Sequence, residues 1–155
     1  MKYFSIAAVA LSVVTSASLH ITDEGEIFQN GVRRPILNSN FRMSCLENTF
    51  YNENQILDFA QKAYRIIENS KSRLDRCTFD PFPKEVLYIY HIGKSQTQAT
   101  GQISHYMIIN FVGQFFAGFY QYQGNEGQVT KLCEFDEGTT FIFPGTLDDS
   151  AHSAK

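Results

Sequence analysis

The chain has 155 residues, a formal net charge of −3, and 43% hydrophobic and 14% aromatic residues. That length fits one domain with a sizeable core, so disulfides would add to the fold without carrying it alone. The mildly acidic balance is a poor electrostatic match for nucleic acid, although it leaves room for a local basic patch.

In chain order, Met1-Lys2 is a short positive start, Phe4 to Val14 an apolar run, and Thr15-Ser16-Ala17-Ser18 a small-residue stretch. The pattern predicts a secretory signal peptide at 1–18, too short and wrongly flanked for a membrane span. Its removal would take Lys2 and leave 12 basic against 16 acidic residues, a charge of −4. No later apolar run approaches 18 residues. The exported chain is therefore expected to carry no membrane segment, and its thiols can be oxidised.

Residues 19–40 are polar and turn-rich, with Gly25, Asn30, Gly31 and Pro35. They read as an arm holding at most a short hairpin from Ile27 to Val32. Arg33-Arg34 reads first as surface charge and second as a dibasic processing site. Asn52 followed by Gln55 has the spacing of a capping box. Ile56, Phe59, Ala60, Ala63, Ile66 and Ile67 then recur at helical spacing, which predicts a helix over about 54–69 with one buried stripe. Pro81 and Pro83 mark a loop at 78–83. Strands are predicted at 86–92, 106–112, 115–122 and 129–135, with a polar loop over Gly93–Gly101 and tight turns elsewhere. Phe141-Ile142-Phe143 adds a short edge strand, and 144–155 reads as a flexible tail. One helix ahead of a roughly four-stranded antiparallel sheet predicts an α+β domain over 41–143.

Three cysteines, Cys45, Cys77 and Cys133, allow three single pairings and leave one thiol over. Pairing Cys45 with Cys133 would close 88 residues and stabilise by about 4–5 kcal/mol in the chain-entropy model. No CxxC or HxxxH spacing occurs, so neither a metal site nor a cofactor is expected.

Several short motifs keep a familiar order. Phe41-Arg42-Met43-Ser44-Cys45 precedes the helix, and Phe82-Pro83 precedes the first core strand. His105 to Asn110 and then Gln114 to Tyr120 form a central hairpin, and Cys133 lies in the last core strand. This order resembles the small fungal ribonucleases of the T1/F1 class. With its leader, the chain is similar to the RNase-like secreted effectors associated with haustoria of powdery mildews. The resemblance covers about residues 41–136 and implies a microbial-ribonuclease layout with a Cys45–Cys133 disulfide. Cys77 would then be a small buried apolar residue. Met43 stands where such effectors carry an aromatic residue, and Cys77 and the arm are departures from the pattern.

Ribonucleases of this class use a Glu, an Arg and two His from neighbouring strands as base, acid and phosphate contacts. The resemblance places those roles at or near Ile89, Tyr106, Tyr122 and Lys84. Ile89 transfers no proton, and a Tyr titrates near ~10, too high for this acid. No catalytic residue is therefore expected, although Glu85, His91 and His105 are present as groups an active enzyme would need. The resemblance implies a secreted, non-catalytic effector that enters the host plant cell and binds host proteins. An intracellular NLR-type immune receptor could detect it as an avirulence protein. The alternatives are an active guanyl-type ribonuclease and an RNA-binding effector. Tyr88, Tyr90, Lys94, Tyr120 and Tyr122 form the expected binding surface, flanked by the loops at 79–84, 93–101 and 124–128.

Overall fold

A computed structural model of the chain describes residues 18–22, 34–46, 48–69 and 73–142. The leader read at 1–18 (but for Ser18), the hairpin read at 27–32 and the tail at 144–155 lie outside the described residues. In chain order the elements are β1 (Leu19–Ile21), β2 (Arg34–Pro35), β3 (Arg42–Ser44), β4 (Phe50–Asn52), α1 (Glu53–Glu68), β5 (Arg76–Phe79) and β6 (Leu87–Thr97). There follow β7 (Gly101–Asn110), β8 (Phe115–Gly124), β9 (Gly127–Leu132), β10 (Glu134–Phe135) and β11 (Phe141–Ile142).

The helix starts where its cap dictates. The Asn52 side chain accepts the Gln55 backbone N–H at 3.0 Å, and the Gln55 side chain accepts the Asn52 N–H at 2.9 Å. Two backbone donors that the first turn leaves without partners are thereby satisfied. Ile56, Ala60 and Ala63 form the buried stripe, while Lys62 and Asp58 pair across one turn on the exposed side.

The strands do not form the expected layout. Among the described residues, the α+β arrangement of one helix on a roughly four-stranded antiparallel sheet is replaced by one helix and eleven strands in three sheets. The main sheet has six strands in the order β1-β5-β6-β7-β8-β9 and is mixed, because β1 runs parallel to β5. A three-stranded sheet, β10-β3-β4, and a two-stranded one, β11-β2, complete it.

Two physical reasons account for the difference. First, strands of two or three residues have too few positions to show a period, and they form only because a distant partner supplies their hydrogen bonds. Leu19 to Ile21, read as part of a polar arm, pairs with Cys77 to Phe79 and buries Ile21 to 2% exposure. Second, the Gln/Thr-rich stretch read as a loop continues β6 to Thr97 and pairs with 101–104. Its alternation is polar on one side, so composition hid the strand. A bulge between His91 and Gly93 resets the register there. Gly93 suits it because a Cβ would come within 2.8 Å of the Tyr51 hydroxyl.

The main sheet separates two apolar clusters. On the helix side, Ile56, Ala60 and Ala63 meet Ile103, Met107 and Ile109 of the main sheet, Phe41 just before β3, and Met43 within it. On the outer side, Ile21, Cys77, Phe79 and Phe82 cover Leu87, Ile108, Phe116 and Phe119. Cys45 and Cys133 are joined by a disulfide and are both buried on the helix side. Gly118 lets that side close up, since a Cβ there would collide with the end of Met43 and crowd the Cys133 sulfur. Cys77 is a buried free thiol whose pKa burial pushes up to about 12, so it stays protonated and unreactive at neutral pH. Among the described residues, no helix is long and apolar enough to cross a membrane.

Candidate functional site

Side chains alternate between the two faces of a strand, so the pairing register decides which residues share a surface. Tyr88 faces Ile109, Tyr90 faces Met107, Tyr120 faces His105 and Tyr122 faces Ile103. All four tyrosines therefore lie on the helix side, packed against that cluster, with Tyr120 at 9% exposure. Lys94 faces Ser104 and belongs to the outer face. The five residues expected to make one binding surface are thus split across the sheet.

The positions matched to ribonuclease catalytic groups are split in the same way. Ile89 faces Ile108 and Tyr106 faces His91, both on the outer side, whereas Tyr122 is on the helix side. Lys84 and Glu85 are exposed in the loop before β6. Tyr106 lies flat against Phe119, ring centroids 5.0 Å apart, and the exposed His91 ring meets it edge-on at 5.3 Å. Among the described residues, no three His, Cys, Asp or Glu side chains are grouped so as to hold a metal ion.

His105 is the buried ionisable group at the middle of the sheet, with no exposed surface. Its Nδ1 lies 2.8 Å from the Tyr51 hydroxyl and its Nε2 lies 2.8 Å from Ser95 Oγ. In the neutral ring one nitrogen donates and the other accepts, and a hydroxyl can take either role. Burial, with a smaller contribution from the charge of His91, holds the His105 pKa below its ordinary value. Burial also pushes the Tyr51 hydroxyl up to about 12, which keeps it protonated. A Ser–His–Tyr chain is a geometry from which proton transfer can be built, but this one is closed on both ring nitrogens within the core. It acts as a polar pin joining β4, β6 and β7. Sequence reading singled out His105 but neither partner, because Tyr51 is 54 residues away and Ser95 lay in a presumed loop.

The depressed pKa has a consequence for stability. The unfolded chain takes up a proton near pH 6.5 that folded His105 binds only at lower pH. The unfolded state then holds more protons, so stability is full above pH 6.5 and falls as pH drops below it toward the folded pKa. Urea unfolding from about pH 7.5 down to about pH 5 should show this slope. His105→Gln, which keeps one donor and one acceptor, should flatten it, and an unchanged slope in that variant would contradict the assignment.

One end of the sheet carries a rigid apolar turn. Asn110, 4% exposed, accepts through its side-chain oxygen from the N–H groups of Val112 (3.2 Å) and Gln114 (2.9 Å). Its side-chain nitrogen donates to the Gln114 side chain at 2.8 Å, and its carbonyl accepts the Gly113 N–H at 3.0 Å. Gly113 supplies the positive φ of 81° that the turn needs. Held this way, Phe111 and Val112 stand 58% and 51% exposed. Val86, 47% exposed, lies beside them because Leu87 pairs with Asn110.

No protein-family model, curated protein or solved structure matches the chain.

Proposed function

We propose that the chain is a secreted, non-catalytic effector that acts by docking on a host plant protein. Detection by an intracellular immune receptor would be one outcome of that docking. The observation that carries the docking is the turn at 110–114. Five polar contacts of one buried Asn, the fifth its own N–H donating to the Gln114 carbonyl at 3.1 Å, fix the backbone, so little ordering remains to be done on binding. Phe111, Val112 and Val86 then present apolar area that a folded chain otherwise hides. The leader-like first 18 residues and the effector-like motif order support export and delivery to the host. The non-catalytic part is supported by the scatter of Ile89, Tyr106, Tyr122 and Lys84 over both faces and a loop.

The test is co-expression of the chain in plant leaf with candidate immune receptors, alongside the Phe111→Ser/Val112→Ser variant. A receptor-dependent response is expected from the parent and at least a roughly tenfold weaker association from the variant. A response indifferent to both substitutions would remove the turn from the docking surface. Hydrolysis of an oligoribonucleotide by the purified chain, lost in His91→Ala, would overturn the non-catalytic reading.

A further inference from the structure

Beyond the part covered by Phe79 and Phe82, the outer face of β6–β9 carries three rows of side chains running across the strands. The first is His91, Tyr106, Phe119 and Leu132, and the second is Lys94, Ser104, Gln121 and Thr130. In the third, Gln96 faces Gln102 and Gln123 faces Gln128, while the pairing of Ile103 with Tyr122 sets Gln102 beside Gln123. Four glutamines thus cross four strands in one line, and all four are exposed. Strand spacing repeats their amides every ~4.8 Å over roughly 14 Å. Gln121 donates to Thr130 Oγ1 at 2.9 Å and accepts from Gln128 Nε2 at 3.3 Å, which ties the two polar rows together.

We propose that this face binds a linear, uncharged polysaccharide laid across the strands. A primary amide carries two donors and an acceptor, the complement of a sugar hydroxyl, which both donates and accepts; one Gln128 donor is already given to Gln121. The regular spacing suits a polymer of like units. Beside the polar rows, Tyr106 is half-buried with one ring face against Phe119, so it is the exposed ring edge that gives the C–H groups of a sugar an apolar border. The same rows fit other ligands poorly. A nucleic-acid backbone needs several cations, and only Lys94 and His91 among these twelve residues can carry positive charge. A protein partner needs apolar anchors, and the second and third rows hold none. This site is separate from the apolar turn at 110–114 and does not rest on the protein-docking reading.

The test uses the full chain, expressed through a secretory pathway so that the disulfide forms, and follows side-chain amide resonances by NMR. Cellohexaose and chitohexaose are the neutral probes; hexagalacturonate and an oligouridylate are the charged comparators. A neutral hexaose should give saturable shifts at the Gln102 and Gln123 side chains. Gln102→Ala/Gln123→Ala should weaken binding about tenfold while leaving backbone shifts elsewhere unchanged. Phe111→Ser should leave the titration as it is, so failure of the protein-docking reading would be seen separately. Absence of a saturable shift in the millimolar range overturns the proposal. So does preference for the oligouridylate, or shifts produced by raising the protein concentration alone, which would mark the face as a contact between copies.

Discussion

Replacing both bridged cysteines, as Cys45→Ala/Cys133→Ala, is expected to cost about 4–5 kcal/mol of unfolding free energy. The bridge spans 88 residues, so its removal returns a large loop-closure entropy to the unfolded chain. The native side of the balance moves the same way. Cys45 and Cys133 are 0% and 1% exposed, and the Cys133 sulfur and the end of Met43 both close on Gly118, so truncation also leaves a small void. Cys77 offers no substitute partner, since it is buried in the outer cluster with the sheet between it and the bridge. Urea unfolding of parent and double variant measures the difference. A loss under about 1 kcal/mol would mean that the bridge closes nothing the rest of the fold does not already hold.

Phe115→Ala should be the most damaging single truncation near the hairpin, at about 3–5 kcal/mol. Phe115 is 2% exposed and sits where the main sheet meets the small ones. Its ring meets Phe41 edge-on at 5.7 Å and Phe135 edge-on at 6.3 Å, and Phe135 in turn contacts Phe141 at 5.6 Å. Removing the ring therefore empties a junction lined by Phe41 and Phe135, and Phe135 cannot move in without leaving its pairing with Met43. Phe111→Ala is the internal comparison. It lies four residues earlier on the same hairpin but is 58% exposed, so its stability change should stay within about 0.5 kcal/mol. Equal effects at the two positions would contradict the burial pattern on which both expectations rest.

These two phenylalanines show how legibility varies along the chain. Both stand in apolar hairpin sequence, and periodicity alone does not separate them. The bulge between Ile108 and Ile109 sets Phe115 opposite Ile109, and the Asn110 side chain turns the intervening loop outward. Neither effect has a sequence period. The tyrosines make the same point from the other side. The spacing of Tyr88 with Tyr90 and of Tyr120 with Tyr122 puts each pair on one face, as alternation requires. It does not say how far that face would be covered: Tyr120 is buried, while Tyr88, Tyr90 and Tyr122 pack against the helix-side cluster and stay partly exposed.

The features legible from residue order are local ones. A capping box and a 3.6-residue stripe place the one helix within a residue of its observed bounds, Glu53–Glu68, and tight turns pair β7 with β8 and β8 with β9. These features depend on neighbours a few residues apart, whose geometry the backbone sets. Long-range packing settled the remainder. It recruited β1, β2, β3 and β4 from stretches too short to show a period, and it gave the main sheet its parallel edge. It assigned each face its cover and gave His105 its two hydroxyl partners. All of these depend on contacts between distant segments, whose free energy appears only when the surfaces meet and exclude water.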